Sequence, residues 1–102
     1  MMFGLPENVI QLLKNYFASR PHILKVLFYG SRAMGKETPG ADVDLAIISR
    51  SEKDISGSVK ADLEELPTPY LFDVLDYQHI THQALREHID KVGKVLFEGA
   101  EK

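Results

Sequence analysis

Two short apolar runs, residues 25–29 and 42–48, limit the fold more than any other feature of the sequence. The first reads K-V-L-F-Y, and its branched and aromatic side chains favour a β-strand. Gly30-Ser31 interrupts this run, and a Gly/Pro turn at residues 38–40 leads into the second. The connection is short for a full parallel crossover, so we expect the two strands to be antiparallel or mixed neighbours.

The second run carries two carboxylates, Asp42 and Asp44, at positions i and i+2. Residues two apart in a strand point to the same face, so these side chains lie next to each other. Two close like charges repel, which favours a divalent cation between them. Carboxylate oxygens suit Mg²⁺, which keeps waters and completes its shell with substrate phosphates. For the pair alone there is a structural alternative, in which Asp42 opens the strand and Asp44 pairs with a basic residue.

The break after the first strand has the composition of a phosphate-binding loop. Gly30 lets the backbone approach a phosphate closely, and Ser31 adds a hydroxyl donor. Residues 32–34 can start a short helix, which would aim free N–H groups at the anion. Arg32 either adds a charge-assisted contact to the phosphate or points to solvent.

Length and composition exclude several classes of protein. The chain has 102 residues, enough for one domain with a single core. It has no cysteine, which excludes a disulfide framework and fits a cytoplasmic protein. A net charge of −3 argues against broad nucleic-acid binding. No apolar run approaches the roughly 20 residues of a membrane span, and the first residues lack the pattern of a signal peptide.

The remaining segments alternate between helix and strand signals. Periodic apolar residues predict helices, and β-rich runs between turn residues predict strands. The predicted helices cover residues 5–19, 54–66 and 81–92, a third strand covers 70–77, and a strand or apolar tail covers 94–98. Expected helix ends are Pro6 at a first helical position, Asp54 and Thr81 as caps, and Gly93 as a C-terminal stop. This order predicts an α/β (α+β) domain, with a small mixed β-sheet and flanking helices mainly on one face.

The predicted third strand contains two further aspartates, Asp73 and Asp76. A carboxylate inside a strand is costly to bury unless it is paired or binds a metal. The two residues have opposite parity, so they point to opposite faces if the strand is regular. One of them can therefore join Asp42 and Asp44, and the other cannot.

His79 and His82 are three residues apart and are the other candidate metal ligands. No third ligand is evident nearby in the sequence. We therefore expect structural or surface roles for both.

The residues Gly30-Ser31, a gap of ten, and Asp42-Val43-Asp44 form the pattern G-S-R-A-x-G-x6-D-x-D-L. This pattern resembles the signature of the DNA polymerase beta-like nucleotidyltransferase superfamily. The chain is most similar to its minimal bacterial branch, the MNT-domain proteins or MntA-type antitoxins. The resemblance covers nearly the whole chain, and it implies the palm-like core of those enzymes.

The resemblance also implies a chemistry, namely transfer of AMP from ATP to a hydroxyl with two Mg²⁺ ions bound. Asp42 and Asp44 would bridge the metals. The third carboxylate of the family lies in a V-D-x-V-D-like context on a later strand, which favours Asp73 over Asp76 as the ligand on the nucleophile side. The residues expected around the nucleotide are Gly30 and Ser31 at the β- and γ-phosphates, Gly35 at the turn behind them, Arg32 and Lys36 as further phosphate contacts, and Tyr29 as a packing residue.

The acceptor is the least defined part of the interpretation. The chain shows no helical substrate lobe, so we expect something else to present the acceptor. Proteins of this branch pair with a HEPN-domain toxin encoded beside them and transfer AMP to its tyrosine, which makes such a toxin the expected partner. The alternatives are transfer to a small molecule with a separate substrate-binding subunit, and an antitoxin that acts by binding alone.

Overall fold

The computed structural model of the chain describes residues 3–35 and 42–99, and within them it has three helices and four strands. The helices are α1 (Glu7–Ala18), α2 (Ser56–Glu64) and α3 (Gln83–Val92). The strands are β1 (Ile23–Tyr29), β2 (Val43–Ser49), β3 (Phe72–Asp76) and β4 (Lys94–Glu98). No helix within the described ranges has the length and apolar character of a bilayer span.

The strands form one mixed sheet in the order β3-β2-β1-β4. β1 pairs antiparallel with both β2 and β4, and β2 pairs in parallel with β3. The expected α/β class with a small mixed sheet is therefore confirmed, as is the antiparallel pairing of the first two strands. The parallel pair is possible because α2 lies between β2 and β3 along the chain and provides the crossover.

Helices α1 and α2 cover one face of the sheet. The side chains of Leu13 and Phe17 from α1 and Leu63 from α2 are fully buried in one cluster with Phe28 and Leu45 of the sheet. A hydrogen bond of 2.6 Å from the Tyr16 hydroxyl to the Asp62 carboxylate also joins the two helices.

Helix α3 lies on the other face, where Ile89 packs against Tyr29 and Ala46. The expectation of helices mainly on one face is thus incomplete, because the sheet is covered on both sides. The sequence does carry the signal, since Leu45, Ala46 and Ile47 are consecutive and all fully buried. A continuous apolar run of this kind is typical of a central strand that is buried on both faces.

Several predicted element ends are wrong. Residues 32–34 do not start a helix, because residues 31–35 form hydrogen-bonded turns in which the Met34 N–H donates to the Gly30 and Ser31 carbonyls. β3 ends at Asp76, and a single 3-10 turn (Tyr77–His79) follows it. The predicted turn at residues 38–40 and the candidate Lys36 lie outside the described residues.

The helix caps also differ from expectation. Pro6 is the N-cap of α1 rather than its first helical residue. His82, not Thr81, caps α3, because its Nδ1 accepts the N–H of Leu85 at 3.3 Å. Asp54 accepts the N–H of Ser56 at 2.9 Å at the start of α2. The N-cap residue of α2 is Ile55, however, so Asp54 makes this hydrogen bond from the position before the cap.

Gly93 follows α3 with φ of −60°, so it is not the left-handed stop that the sequence suggested. Its small size is required instead, because a Cβ atom would lie 2.6 Å from the Ile89 carbonyl oxygen and 3.4 Å from Leu27 Cδ1. The glycine therefore allows the chain to turn sharply from α3 into β4 against the sheet.

We predict that Gly93→Ala lowers the free energy of unfolding by roughly 1–3 kcal/mol, since a backbone oxygen cannot move away from the new methyl group. Gly57→Ala is the matched control, because a Cβ there meets nothing within 4 Å and the residue is helical. That variant is expected to gain roughly 0.5–1 kcal/mol. Urea unfolding measures both values, and shifts of the same sign would contradict the steric explanation.

Candidate active site

A row of three side chains crosses the sheet where β1 ends and β2 and β3 begin. Tyr29 of β1 is opposite Asp44 of β2, and Asp44 is opposite Asp73 of β3. Residues directly opposite each other in a sheet point to the same face, and neighbouring strands are about 4.8 Å apart. The ladder therefore fixes Asp44 between Tyr29 and Asp73.

Asp42 immediately precedes β2 and lies two residues from Asp44 along the same chain segment, beside this row. Both Asp42 and Asp73 are exposed, whereas Asp44 is partly buried. Burial raises the pKa of Asp44 above its ordinary value, and the charges of Asp73 and then Asp42 raise it further. Asp42 and Asp73 are therefore near enough to Asp44 for their charges to affect its carboxylate, and we call these three residues the carboxylate cluster.

The donor chemistry of this cluster fits a hard divalent cation such as Mg²⁺. Within residues 3–35 and 42–99, however, no group of three Asp, Glu, His or Cys side chains is placed to hold a metal ion. Mg²⁺ commonly takes only one or two protein carboxylates and completes its shell with waters and phosphate oxygens. If the cluster holds such an ion, water and substrate would have to complete its shell.

Gly30 lies against the carboxylate of Asp44. Its φ is +80°, in the left-handed region that favours glycine. A Cβ atom on Gly30 would overlap Asp44 Oδ2 and would lie 3.2 Å from Asp44 Cγ. The absence of a side chain at residue 30 is thus what allows the loop after β1 to meet the carboxylate cluster.

Ser31 and Gly35 bound the turn that follows. Ser31 is partly exposed, and its backbone carbonyl accepts the Met34 N–H at 3.2 Å. Gly35 has φ of +70°, and a Cβ on it would meet nothing within 4 Å. Gly30 and Ser31 follow directly on β1, whose last residue is opposite Asp44, and their contact with a phosphate stays a prediction. Gly35 allows the backbone turn, and its place in a nucleotide site stays a prediction.

Arg32 does not point to solvent, because only 3% of it is exposed. Its guanidinium donates to the Phe3 carbonyl at 3.0 Å and lies 5.4 Å from the centre of the Tyr70 ring. It is near enough to Asp44 that its positive charge partly offsets the rise in the pKa of that carboxyl. Of its two predicted roles the solvent-exposed one is wrong, and a direct phosphate contact stays a prediction.

Asp76 lies on the opposite face of β3 from Asp73, as its parity indicated. It is 2% exposed, and its Oδ2 accepts the Ile55 N–H at the start of α2 at 3.2 Å. Of the two candidates for a third carboxylate, the structure brings only Asp73 into line with Asp44. Asp76 instead ties β3 to α2.

Tyr29 packs in the core, in agreement with the packing role expected for this residue. It is 8% exposed and belongs to the cluster with Ala46 and Ile89. Burial raises the pKa of its phenol strongly, and the charges of Asp73 and Asp44 add to this rise. Tyr29 therefore stays protonated and uncharged beside the carboxylates.

The histidines do not form a metal site within the described chain. His79 and His82 are both exposed, and His82 uses its Nδ1 to cap α3. The surface and structural roles expected for them agree with this arrangement.

Leu71 is a neighbour of the site that sequence reasoning did not single out. It is 62% exposed, and its carbonyl accepts the Val43 N–H at 2.9 Å. The sequence shows that Leu71 is two residues before Asp73, so the two share a face of an extended chain. The sequence does not show that Leu71 is exposed, because an apolar residue next to a strand is ordinarily assigned to the core.

We predict that Gly30→Ala lowers the free energy of unfolding by roughly 2–4 kcal/mol, through left-handed strain and overlap with the Asp44 carboxylate. Gly35→Ala shares the positive φ but has open space, so it should lose only roughly 1 kcal/mol. Urea unfolding of Gly30→Ala in an Asp44→Ala background isolates the overlap. An equal cost of Gly30→Ala in both backgrounds would contradict it.

The raised pKa of Asp44 predicts that its charge destabilises the metal-free fold at neutral pH. Asp44→Asn should therefore raise the melting temperature at pH 7 by a few degrees. The gain should vanish as the pH falls through the raised pKa and then through the ordinary carboxyl range, where the wild-type group is neutral too.

Asp54→Asn is the control of opposite sign. Hydrogen bonds from the Ser56 hydroxyl and N–H hold the pKa of Asp54 below its ordinary value. Its charge therefore stabilises the fold above the ordinary carboxyl pKa, and the variant should melt slightly lower at pH 7. Thermal melts of both variants between pH 3 and pH 8 measure these effects, and destabilisation by Asp44→Asn at pH 7 would contradict the electrostatic account.

Three solved structures share this fold. A toxin–antitoxin crystallised with AMP-PNP is 20% identical, and the match covers 95% of this chain and 76% of that one with a TM-score of 0.64. A toxin–antitoxin MntA–HpeT mutant, with two aspartates two positions apart replaced by glutamate, is 16% identical over 95% of this chain and 75% of that one, with a TM-score of 0.62. A proposed nucleotidyltransferase from Sulfolobus solfataricus is 18% identical over 89% of this chain and 81% of that one, with a TM-score of 0.53.

At these identities the structural likeness concerns the fold. No curated protein matches the sequence significantly. The sequence does match the family model described as polymerase beta, nucleotidyltransferase over residues 11–102, which is most of the chain and includes the Gly-Ser loop and all three aspartates of the cluster. This chain belongs to the polymerase beta nucleotidyltransferase family.

Proposed function

We propose that the chain is a Mg²⁺-dependent nucleotidyltransferase that transfers AMP from ATP to a hydroxyl group of a partner protein. The observation that carries this proposal is the alignment of Asp44 with Asp73 across the parallel β2–β3 ladder, with Gly30 against the other side of Asp44. This alignment puts a cluster of carboxylates beside a glycine-serine loop. The two features are the ones that a metal-bound nucleotide requires.

Asp42, Asp44 and Asp73 would hold the metal. Burial raises the pKa of Asp44 most, and the charges of Asp73 and Asp42 raise it further, so a positive charge among the three carboxylates would be favourable. A bound divalent ion would supply that charge and stabilise the negative charge that develops on the phosphate oxygens during transfer. The oxygen-only donor set and the two exposed members of the cluster fit such an ion and its waters.

The chain's own residues then act on the two substrates. The Gly30 backbone leaves room for a phosphate at the end of β1, and the Ser31 hydroxyl donates to a phosphate oxygen. Asp73 accepts the proton of the acceptor hydroxyl at its carboxylate. The hydroxyl oxygen forms a bond to the α-phosphorus of ATP as the bond to the bridging oxygen breaks, and pyrophosphate leaves. Arg32 offsets part of the carboxylate charge from its buried position beside the loop.

A tyrosine of a HEPN-type toxin is the proposed acceptor, and the chain is then the antitoxin of the pair. Two lines support this choice. The sequence pattern is that of MntA-type antitoxins, and two of the structures that share the fold are of toxin–antitoxins, one of them with an ATP analogue. The mutant structure alters two aspartates with the same spacing as Asp42 and Asp44.

A second candidate function is an antitoxin that acts by binding alone. The observation that favours it is that no three potential ligands within the described chain are placed to hold a metal ion. In that case the protein neutralises its toxin partner by binding to it, and the carboxylate cluster is not needed.

We predict that the chain, mixed with Mg²⁺, ATP and the protein encoded by the neighbouring gene, adds one or more AMP units to that protein. Intact-protein mass spectrometry measures the added mass. Asp42→Asn should lower the transfer rate by at least roughly 10²-fold, because the metal would lose a ligand and its placement would fail. Chelation of Mg²⁺ should abolish transfer in the wild type.

Glu52→Gln is the matched control, because Glu52 is an exposed carboxylate beyond the opposite end of β2. It should transfer at the wild-type rate. A stable complex without any AMP adduct, together with undiminished neutralisation by Asp42→Asn, would reject the catalytic proposal in favour of binding alone.

A further inference from the structure

Leu71 is the most exposed large apolar side chain in the described part of the protein. Three such side chains are more than 40% exposed there, namely Leu71 at 62%, Val95 at 48% and Met34 at 42%. Leaving a leucine in water forgoes the stabilisation that its burial would give. A single exposed leucine is ordinary, so its position rather than its exposure is what makes it informative.

Leu71 stands beside the proposed catalytic carboxylates. The hydrogen bond from the Val43 N–H to the Leu71 carbonyl continues the β2–β3 ladder by one residue, which places Leu71 opposite Asp42. Leu71 and Asp73 are two apart along the extended chain, so they share a face of the sheet. The leucine therefore borders the carboxylate cluster on the side of β3.

The remainder of this face is already covered. Helix α3 packs Ile89 and Leu85 over Leu27, Ala46 and Leu75, and this cover reaches as far as Tyr29. Asp73 and Leu71 lie beyond it and are both exposed. Since β3 is an edge strand, the described chain leaves this corner of the sheet open next to the cluster.

The two substrates of the proposed reaction approach the cluster from different sides. Gly30 and Ser31 follow β1, on one side of Asp44, and on the other side lie Asp73 of β3 and Leu71, which immediately precedes that strand's first residue. If the nucleotide phosphates occupy the glycine-serine side, the acceptor has to enter over β3. The first apolar group that it meets beside Asp73 is then Leu71.

We infer that Leu71 is a specificity-determining residue for the acceptor. It packs against apolar side chains of a partner protein around the hydroxyl that is to be modified. This inference rests on the proposed function and narrows its substrate class. An acceptor hydroxyl framed by apolar groups gains by covering Leu71, whereas a polyhydroxylated sugar or a phosphate ester would bring polar or anionic groups against a leucine and three carboxylates.

The test compares Leu71→Ser with Leu71→Ile and with Val95→Ser. Val95 is a similarly exposed aliphatic residue on β4, and the sheet order separates it from β3 by three strand spacings, about 14 Å. Because Leu71 is exposed, Leu71→Ser should fold and melt like the wild type, which a thermal melt verifies. Binding of Mg²⁺-AMP-PNP, measured by calorimetry, should be the same in all four proteins.

Transfer of AMP to the protein encoded by the neighbouring gene is then measured at varied concentrations of that protein. Leu71→Ser should raise the KM for the acceptor about tenfold or more and change kcat by less than about threefold, since the lost contact is made before and during transfer alike. Leu71→Ile should restore the wild-type KM, and Val95→Ser should not change it. Equal KM values for Leu71→Ser and Val95→Ser would overturn the inference.

Affinity for the same protein, measured without nucleotide, separates this inference from the proposed function. Weaker binding by Leu71→Ser alone, with no AMP transfer even by the wild type, would support the role of Leu71 and reject the catalytic proposal. Transfer of AMP by Leu71→Ser at the wild-type rate and with an unchanged KM would support the catalytic proposal and reject the role of Leu71. Failure of the wild type to bind that protein, or faster transfer to glycerol or an aminoglycoside than to it, would also overturn the inference.

Discussion

The structure around the candidate site depends on the parallel pairing of β2 with β3. This pairing holds the negatively charged side chains of Asp44 and Asp73 next to each other. Asp44 and Asp73 are opposite each other in its register, and Asp42 precedes them. Isolated strands carrying these charges would repel one another at this end. The pairing survives because β2 is buried on both faces by the helices, so that the hydrophobic contacts of Leu45, Ala46 and Ile47 outweigh the local repulsion.

The same arrangement explains how the face that carries the site is divided. Helix α3 covers the part that contains Ala46 and Leu75, and Tyr29 closes this apolar cluster at the border with the carboxylates. A neutral, buried phenol next to Asp44 adds no charge to the site and keeps water from the core. Among the described residues, α3 does not cover the corner that carries Asp73 and Leu71, and both side chains are exposed there.

The sequence was sufficient for the class of fold and for most of the elements. The apolar runs and turn residues indicated three strands and the three helices, left residues 94–98 as a strand or an apolar tail, and the i, i+2 spacing indicated that Asp42 and Asp44 lie together. The ends of the helices and strands were predicted less well, because the residue that caps a helix depends on the backbone geometry there and not on residue type alone. His82 replaces Thr81 as the cap of α3, and the turn at residues 31–35 replaces a short helix.

By itself the sequence determined which residues are available for chemistry. Its local pattern indicates the Gly-Ser break, the aspartate pair and a later strand with Asp73. Only the tertiary structure decided which side chains meet. It paired Asp73 with Asp44, buried Arg32 behind the loop and left Leu71 exposed. The reason is physical: strand register and helix packing join residues far apart in the chain, and no local pattern specifies them.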